Sequence, residues 1–249
     1  MAKENNNFML IVGLVLALFL LVGQSYMLTN NDSENNLISV SGNSELSVTP
    51  DVAYVYVSVN TLDENPKLAQ SENVVLSVKV IDALKNLGIS EDDIETDGFR
   101  LNEKYEYVPF GEEKSDSIEY EVVHSLKVKT LDLDSIGTLV DTVISAGANG
   151  VSNIDYTLSD DLEKQVRADA LEKAIIAGSE KAVSMAKTLN IGLGDVVKVT
   201  ENNYYYNPYT FAANVKAEAY DVGGAGNLNF LSPQNVKVKS SVGIEFELE

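Results

Sequence analysis

Two segments at opposite ends of the chain alternate with a period of two, and this limits the possible folds more than any other feature. From Ile38, "ISVSGNSELSV" places apolar or small residues at Ile38, Val40, Gly42, Ser44, Leu46 and Val48, with polar residues between them. The closing "VKVKSSVGIEFELE" does the same with Val236, Val238, Ser240, Val242, Ile244, Phe246 and Leu248. Period two is the signature of a strand with one face on a core and the other in water. After Thr49-Pro50-Asp51 the aliphatic residues change parity to Ala53, Val55, Val57 and Val59. Proline presets the backbone for a turn and aspartate can close it, so this junction predicts a β-hairpin. Val52, Tyr54 and Tyr56 on the second strand's other face predict that this face is partly covered as well.

Between these ends the period changes. Asn65-Pro66 reads as an N-cap and first helical position, with Gly88 as the stop and Leu68, Leu76, Val80, Leu84 and Leu87 as the apolar face. Residues 94–108 and 118–131 read as a second hairpin around the polar "PFGEEKSDS". Ile136, Leu139, Val140, Val143 and Gly147 follow helical spacing after Asp134, the expected cap. A strand over 151–158 leads to a long helix from Asp160-Asp161 to about Asn190. Asp160–Lys164, Glu163–Arg167 and Asp169–Lys173 support it at i, i+4, and Ala170, Ala174 and Ala177 permit close packing. A strand near 196–201 precedes the closing one. The expected order is ββαββ-αβαββ, an α+β fold with mostly antiparallel sheet and packed helices. The two halves have the outline of a diverged repeat without a strong residue match.

The N-terminus sets the location. Phe8 to Leu28 carries no charge and has the length of a transmembrane helix, about 20 residues. A cleavable signal with Gly23-Gln24-Ser25 as its site is the alternative. Lys3 precedes the segment, Asp32 and Glu34 follow it, and no Lys or Arg appears until Lys67. The positive-inside rule therefore keeps residues 1–7 cytoplasmic and exports the remainder. Residues 8–28 form the anchor or signal, 29–37 a polar linker containing the sequon Asn31-Asp32-Ser33, and 38–249 one exported domain. With 18 Lys+Arg against 38 Asp+Glu, the formal net charge is −20, which opposes binding to nucleic acid. The absence of cysteine excludes disulfides and thiolate metal sites.

Five stretches in this order resemble the SIMPL-domain family of exported bacterial and archaeal proteins. They are "VSGNSELSVTPDVAYVYVSV", "LKNLGISEDDIETDGFRL", "LVDTVISAGANGVSNIDYTLSD", "ADALEKAIIAGSEKAVSMAKTLNIGLGDVVKV" and "VKVKSSVGIEFEL". The resemblance spans Ile38 to Leu248 and departs from the family at Ser44, where members often carry a second glycine. It implies an α+β domain in the periplasm or on the cell surface. Some relatives form ring- or channel-shaped homo-oligomers, and others are linked to oxidative-stress tolerance or are strong antigens. The family offers no agreed catalytic residues to carry over.

Chemistry-bearing motifs are sparse. The one histidine, His124, lies on the apolar parity of its strand, which fits a structural role better than catalysis or metal binding. Gly42-Asn43-Ser44-Glu45 begins like a nucleophile elbow but has Leu46 at the second glycine position. Asp93, Glu95, Asp97 and Gly98 resemble half of a calcium loop whose twelfth position is Lys104 rather than glutamate. A weak calcium contact at the "SEDD" or "SDD" carboxylates, or simple capping, is what remains. Gly223-Gly224-Ala225-Gly226 lacks a phosphate-loop continuation. No catalytic residue, cofactor or metal ligand is assigned.

The tyrosine-rich "NNYYYNPYTF" stands apart. Tyr204, Tyr205, Tyr206, Tyr209 and Phe211 form a candidate interaction loop, because such rings are apolar while their hydroxyls tolerate water. Packing on the parent domain is the alternative, and glycan or peptide binding a second functional one. The sequence thus predicts a non-enzymatic, membrane-tethered envelope protein that forms a homo-oligomer or binds envelope proteins or glycans. An envelope hydrolase or redox enzyme is the rival.

Overall fold

The first alternating strand does not pair with the second. In the computed structural model, which describes residues 36–105, 118–213, 215–216 and 233–249, β1 (Leu37–Val48) pairs antiparallel with β9 (Val236–Leu248). The register runs without a break from Leu37 opposite Glu247 to Val48 opposite Val236. β2 (Val52–Asp63) instead lies between β4 (Ile118–Thr130) and β5 (Gly150–Thr157), in another sheet. The expected hairpin is therefore a crossing. Pro50 passes the chain from one sheet to the next, and the parity change reorients the strand toward a second core. The absence of a bulge around Ser44 also shows that the departing position leaves the strand regular.

The fold is α+β, with two antiparallel sheets. One is three-stranded, in the order β1-β9-β6, where β6 is Leu193–Asn207. The six-stranded sheet runs β3-β4-β2-β5-β7, with β8 also pairing β5. Here β3 is Ile94–Tyr105, β7 Tyr209–Phe211 and β8 Val215–Lys216. The β3–β4 hairpin forms as expected, with a register shift between Thr96 and Gly98. The two short strands β7 and β8 are additions to the expected order.

Helices α1 (Pro66–Asn86) and α2 (Ile136–Ala146) cover the larger sheet. Asn65 caps α1 through its side chain, which accepts from the Lys67 N–H, and Gly88 follows its end at φ 99°. The buried face of α1 keeps the expected Val80 and Leu84 but also takes Ala69, Asn73 and Ser77, while Leu68 is exposed. Asn73 earns its burial by donating to the carbonyls of Val59 and Val122, 2.8 and 3.2 Å away on adjacent strands. Ser135, not Asp134, occupies the α2 N-cap; its N–H donates to Asp132 Oδ1 and its hydroxyl to the Asp132 carbonyl. Gly147 ends the helix at φ 112°, where a side chain would be strained.

Helix α3 (Asp160–Leu189) covers the smaller sheet. Ser159 caps it and Asn190 ends it in the left-handed conformation. Its buried residues recur every four positions: Val166, Ala170, Ala174, Gly178, Ala182 and Ala186. Ala177, outside that stripe, is half-buried. Small residues bring the helix onto β1 so closely that a Cβ on Gly42 would lie 1.9 Å from the Ala174 carbonyl oxygen. Ser44 uses the same proximity to donate to the Ala170 carbonyl at 2.6 Å. Arg167 reaches Glu201 of β6 at 3.1 Å, and Lys164 pairs with Asp161 one turn back, so charges on this helix serve neighbours other than the expected i, i+4 partners.

The anchor or signal segment 8–28, the sequon, the loop 109–117 and Gly223–Gly226 lie outside the described residues. Among the described residues no helix is long and apolar enough to cross a membrane.

Candidate functional site

The aromatic stretch is strand rather than loop: Tyr204, Tyr205 and Tyr206 end β6, and Tyr209 and Phe211 bound β7. Alternation on β6 therefore separates the three consecutive tyrosines. Tyr206 turns inward, where its hydroxyl meets Thr157 Oγ1 and accepts from the Leu158 N–H at 2.8 Å. Tyr204 also turns toward α3, donating to Glu163 at 3.4 Å beneath the Arg167 guanidinium, which lies 4.6 Å from the ring centroid. Burial, then the Glu163 carboxylate, raises the Tyr204 pKa. Tyr209 stacks on Tyr156 with centroids 6.1 Å apart, and Phe211 packs on the main core. Burial, then Tyr209, pushes Tyr156 up to about 12. Four of the five rings thus pack on their own domain, and Tyr205 alone points outward, 55% exposed.

Around Tyr205 three strands present matching rows. Glu45 of β1 faces Lys239 of β9, which faces Tyr205 of β6; in the adjoining row Asn43 faces Ser241, which faces Asn203. A groove of about 500 Å³ lies along these residues. Glu45 pairs with Lys237 at 2.9 Å and Lys239 at 3.0 Å. Hydrogen bonding to those two ammonium groups holds the Glu45 carboxyl below its ordinary range and raises Lys237. Sequence reasoning missed this cluster because its strands lie far apart in the chain. Its signal was the outward parity of Glu45, Lys237 and Lys239 within the two alternating segments.

On the six-stranded sheet, a second groove of about 510 Å³ is lined by Asn60, Asn149, Lys104, Glu121 and Lys216, among others. Asn60 Oδ1 is buried there without a partner among the described residues.

His124 lies between two hydroxyls, with Ser77 Oγ 2.8 Å from Nδ1 and Thr96 Oγ1 3.0 Å from Nε2, and Phe99 meets its ring edge-on. Burial lowers its pKa. Ser77, on the inner face of α1, is 4% exposed, which suits a linking group better than a nucleophile. The acidic stretch after Gly88 disperses onto lysines: Glu91 to Lys85 at 2.8 Å, Asp93 to Lys129 at 3.8 Å and Glu95 to Lys127 at 3.9 Å. Among the described residues, no group of three or more His, Asp or Glu is placed to hold a metal ion.

Residues 38–246 match the model of the SIMPL family, described as "Protein of unknown function (DUF541)". The chain belongs to the SIMPL family. The SIMPL match spans both sheets and the three α-helices of the described residues. The chain is similar to the "26 kDa periplasmic immunogenic protein" of Brucella melitensis, with 29% identity over 169 residues, 66% of each chain. It is also similar to "Uncharacterized protein YggE" of Escherichia coli K12, 24% identical over 239 residues, covering 94% of this chain and 93% of the relative. The YggE protein of Edwardsiella ictaluri is 26% identical over 171 residues, 69% of this chain and 70% of its own.

Proposed function

We propose that this chain is a non-enzymatic, membrane-tethered envelope protein whose exported SIMPL domain self-associates through its sheet edges. The periplasmic name of the Brucella relative and the uncharged segment at 8–28, with its flanking charges, support the location. The observation that carries the self-association is the smaller sheet itself. Among the described residues its outer strands, β1 and β6, each pair on one side only, with β9. Such edges carry unpaired backbone groups, and proteins ordinarily guard them with lysine, proline or a covering element. On β6 the edge carries Lys198 and shifts register against β9 at three places, yet Val196, Val197 and Val199 around that lysine are about half exposed. Pairing β6 of one copy with β1 of the next is a head-to-tail contact, which closes into a ring or continues as a filament.

The rival, an envelope hydrolase or redox enzyme, has less support, since the sole histidine is held between hydroxyls, one of them buried. Light scattering of the full chain in detergent, across a salt series, tests self-association. The net charge of −20 opposes association, so salt, which shortens repulsion to about 8 Å at physiological strength, should raise the mass. Val196→Lys with Val199→Lys should return it to the monomer. A monomer at every salt concentration would refute self-association, and an unchanged oligomer in the double variant would clear the β6 edge.

A further inference from the structure

We propose that the outward face of the three-stranded sheet around Tyr205 is a binding site for a neutral saccharide. This goes beyond self-association and does not depend on it. Among the described residues, the side chains of Asn43, Asn203, Ser241 and Tyr205 have no hydrogen-bonding partner, and they converge on one groove. Its volume of about 500 Å³ falls within the range of about 300–1,000 Å³ usual for small-molecule sites.

The chemistry selects the ligand class. An outward aromatic ring offers an apolar face for the C–H surface of a pyranose while its hydroxyl stays wet. Side-chain amides both donate and accept, which matches sugar hydroxyls and acetamido groups better than it matches a purely cationic or anionic ligand. The charged members are already engaged: Glu45 holds both Lys237 and Lys239 at 3.0 Å or less. The trio keeps one net positive charge, a single unit against the −20 of the chain, which repels a polyanion at long range. The flat polar rows also suit a chain of sugars crossing the strands, with Tyr205 stacked under one ring and the Asn43–Ser241–Asn203 row beside the next.

The test is calorimetric titration of the full chain in detergent with a tetrasaccharide of β-1,4-linked N-acetylglucosamine, with particle mass followed by light scattering. The wild type should bind. Tyr205→Ala should weaken binding about tenfold, the scale of one lost stacking contact, and Tyr205→Phe should keep it within about twofold. Asn43→Ala with Asn203→Ala should weaken it about fivefold, as for lost neutral hydrogen bonds. Tyr205 is exposed and without a hydrogen-bonding partner among the described residues, so its variants should melt as the wild type does. No binding to the wild type, or binding insensitive to both Tyr205→Ala and the paired asparagine change, would overturn the proposal. So would a Tyr205→Ala variant whose particle mass falls while its saccharide binding is unaltered, since the face would then belong to a second copy. A wild type that is monomeric yet binds the sugar would refute self-association alone.

Discussion

Asp51 accepts two hydrogen bonds from Ser159, one from the backbone N–H and one from the hydroxyl, both at 2.6 Å. Asp51 sits where the chain passes from β1 to β2, and Ser159 caps α3. One carboxylate thus fixes the strand crossing to the start of the helix that covers the smaller sheet. Asp51→Ala removes both bonds and should cost about 3 kcal/mol or more, given that hydrogen bonds to charged groups contribute about 1.5–3 kcal/mol each. Urea unfolding at neutral pH measures it.

Gly42 tests the approach of α3 in the opposite sense, by overpacking. A Cβ there would meet backbone at 1.9 and 2.6 Å, so Gly42→Ala should cost at least about 2 kcal/mol. Gly178→Ala should cost less, because its nearest obstacle is the terminal Cδ1 of the Ile244 side chain at 2.9 Å and the nearest backbone, at Gly42, lies 3.2 Å away. Gly98→Ala, with nothing within 4 Å, should be close to neutral. Thermal melts of the three variants should follow that order.

Tyr206→Phe leaves the ring and deletes the hydroxyl that serves the Leu158 N–H and Thr157 Oγ1. An inward donor left without its acceptor costs about 1–3 kcal/mol. Tyr205→Phe, by contrast, should leave the denaturation midpoint unchanged. A comparison of the two midpoints separates the inward tyrosine from the outward one.

His124 should make the domain acid-sensitive. Its folded pKa is lowered by burial, so the unfolded chain, titrating at about 6.5, takes up the proton first. Stability is then full above about pH 6.5 and falls as pH drops through that value toward the folded pKa. His124→Gln should remove this slope while costing about 1 kcal/mol at neutral pH. Melting temperatures between about pH 7 and pH 5, above the range where Glu45 and Glu91 titrate, check both statements.

The proposed tether predicts a fractionation pattern. Protease added to intact cells or spheroplasts should digest the SIMPL domain, and carbonate washing should leave the uncut chain in the membrane. A soluble mature chain beginning near Tyr26 would instead establish cleavage.

Much of the fold was legible because its signals are local. Asn65-Pro66, Gly88, Gly147 and Asn190 mark helix ends by backbone conformation alone, and the alternation of β9 identified a docked strand. Pairing partners were not legible, since alternation fixes which face is buried but not which strand lies alongside. The Pro50 turn was accordingly read as a hairpin. The polar residues on the inner face of α1 were missed for a related reason: Asn73 is buried only because two strand carbonyls await it. In the candidate site, the tyrosines were visible but their sidedness was not, because it depended on recognising 204–206 as strand. The Glu45–Lys237–Lys239 cluster required knowing that the two ends of the domain meet.

That meeting also bears on how the domain is made. β9 is the central strand of the smaller sheet, and it is the last of the described strands in sequence. β1, the first described strand, has no strand partner in its sheet among the described residues until then. Contacts of such high sequence separation slow folding, because a long loop must close before they form. The smaller sheet therefore cannot assemble until β9 has been synthesised, and truncation before Val236 would leave both its edge strands and α3 without their shared centre.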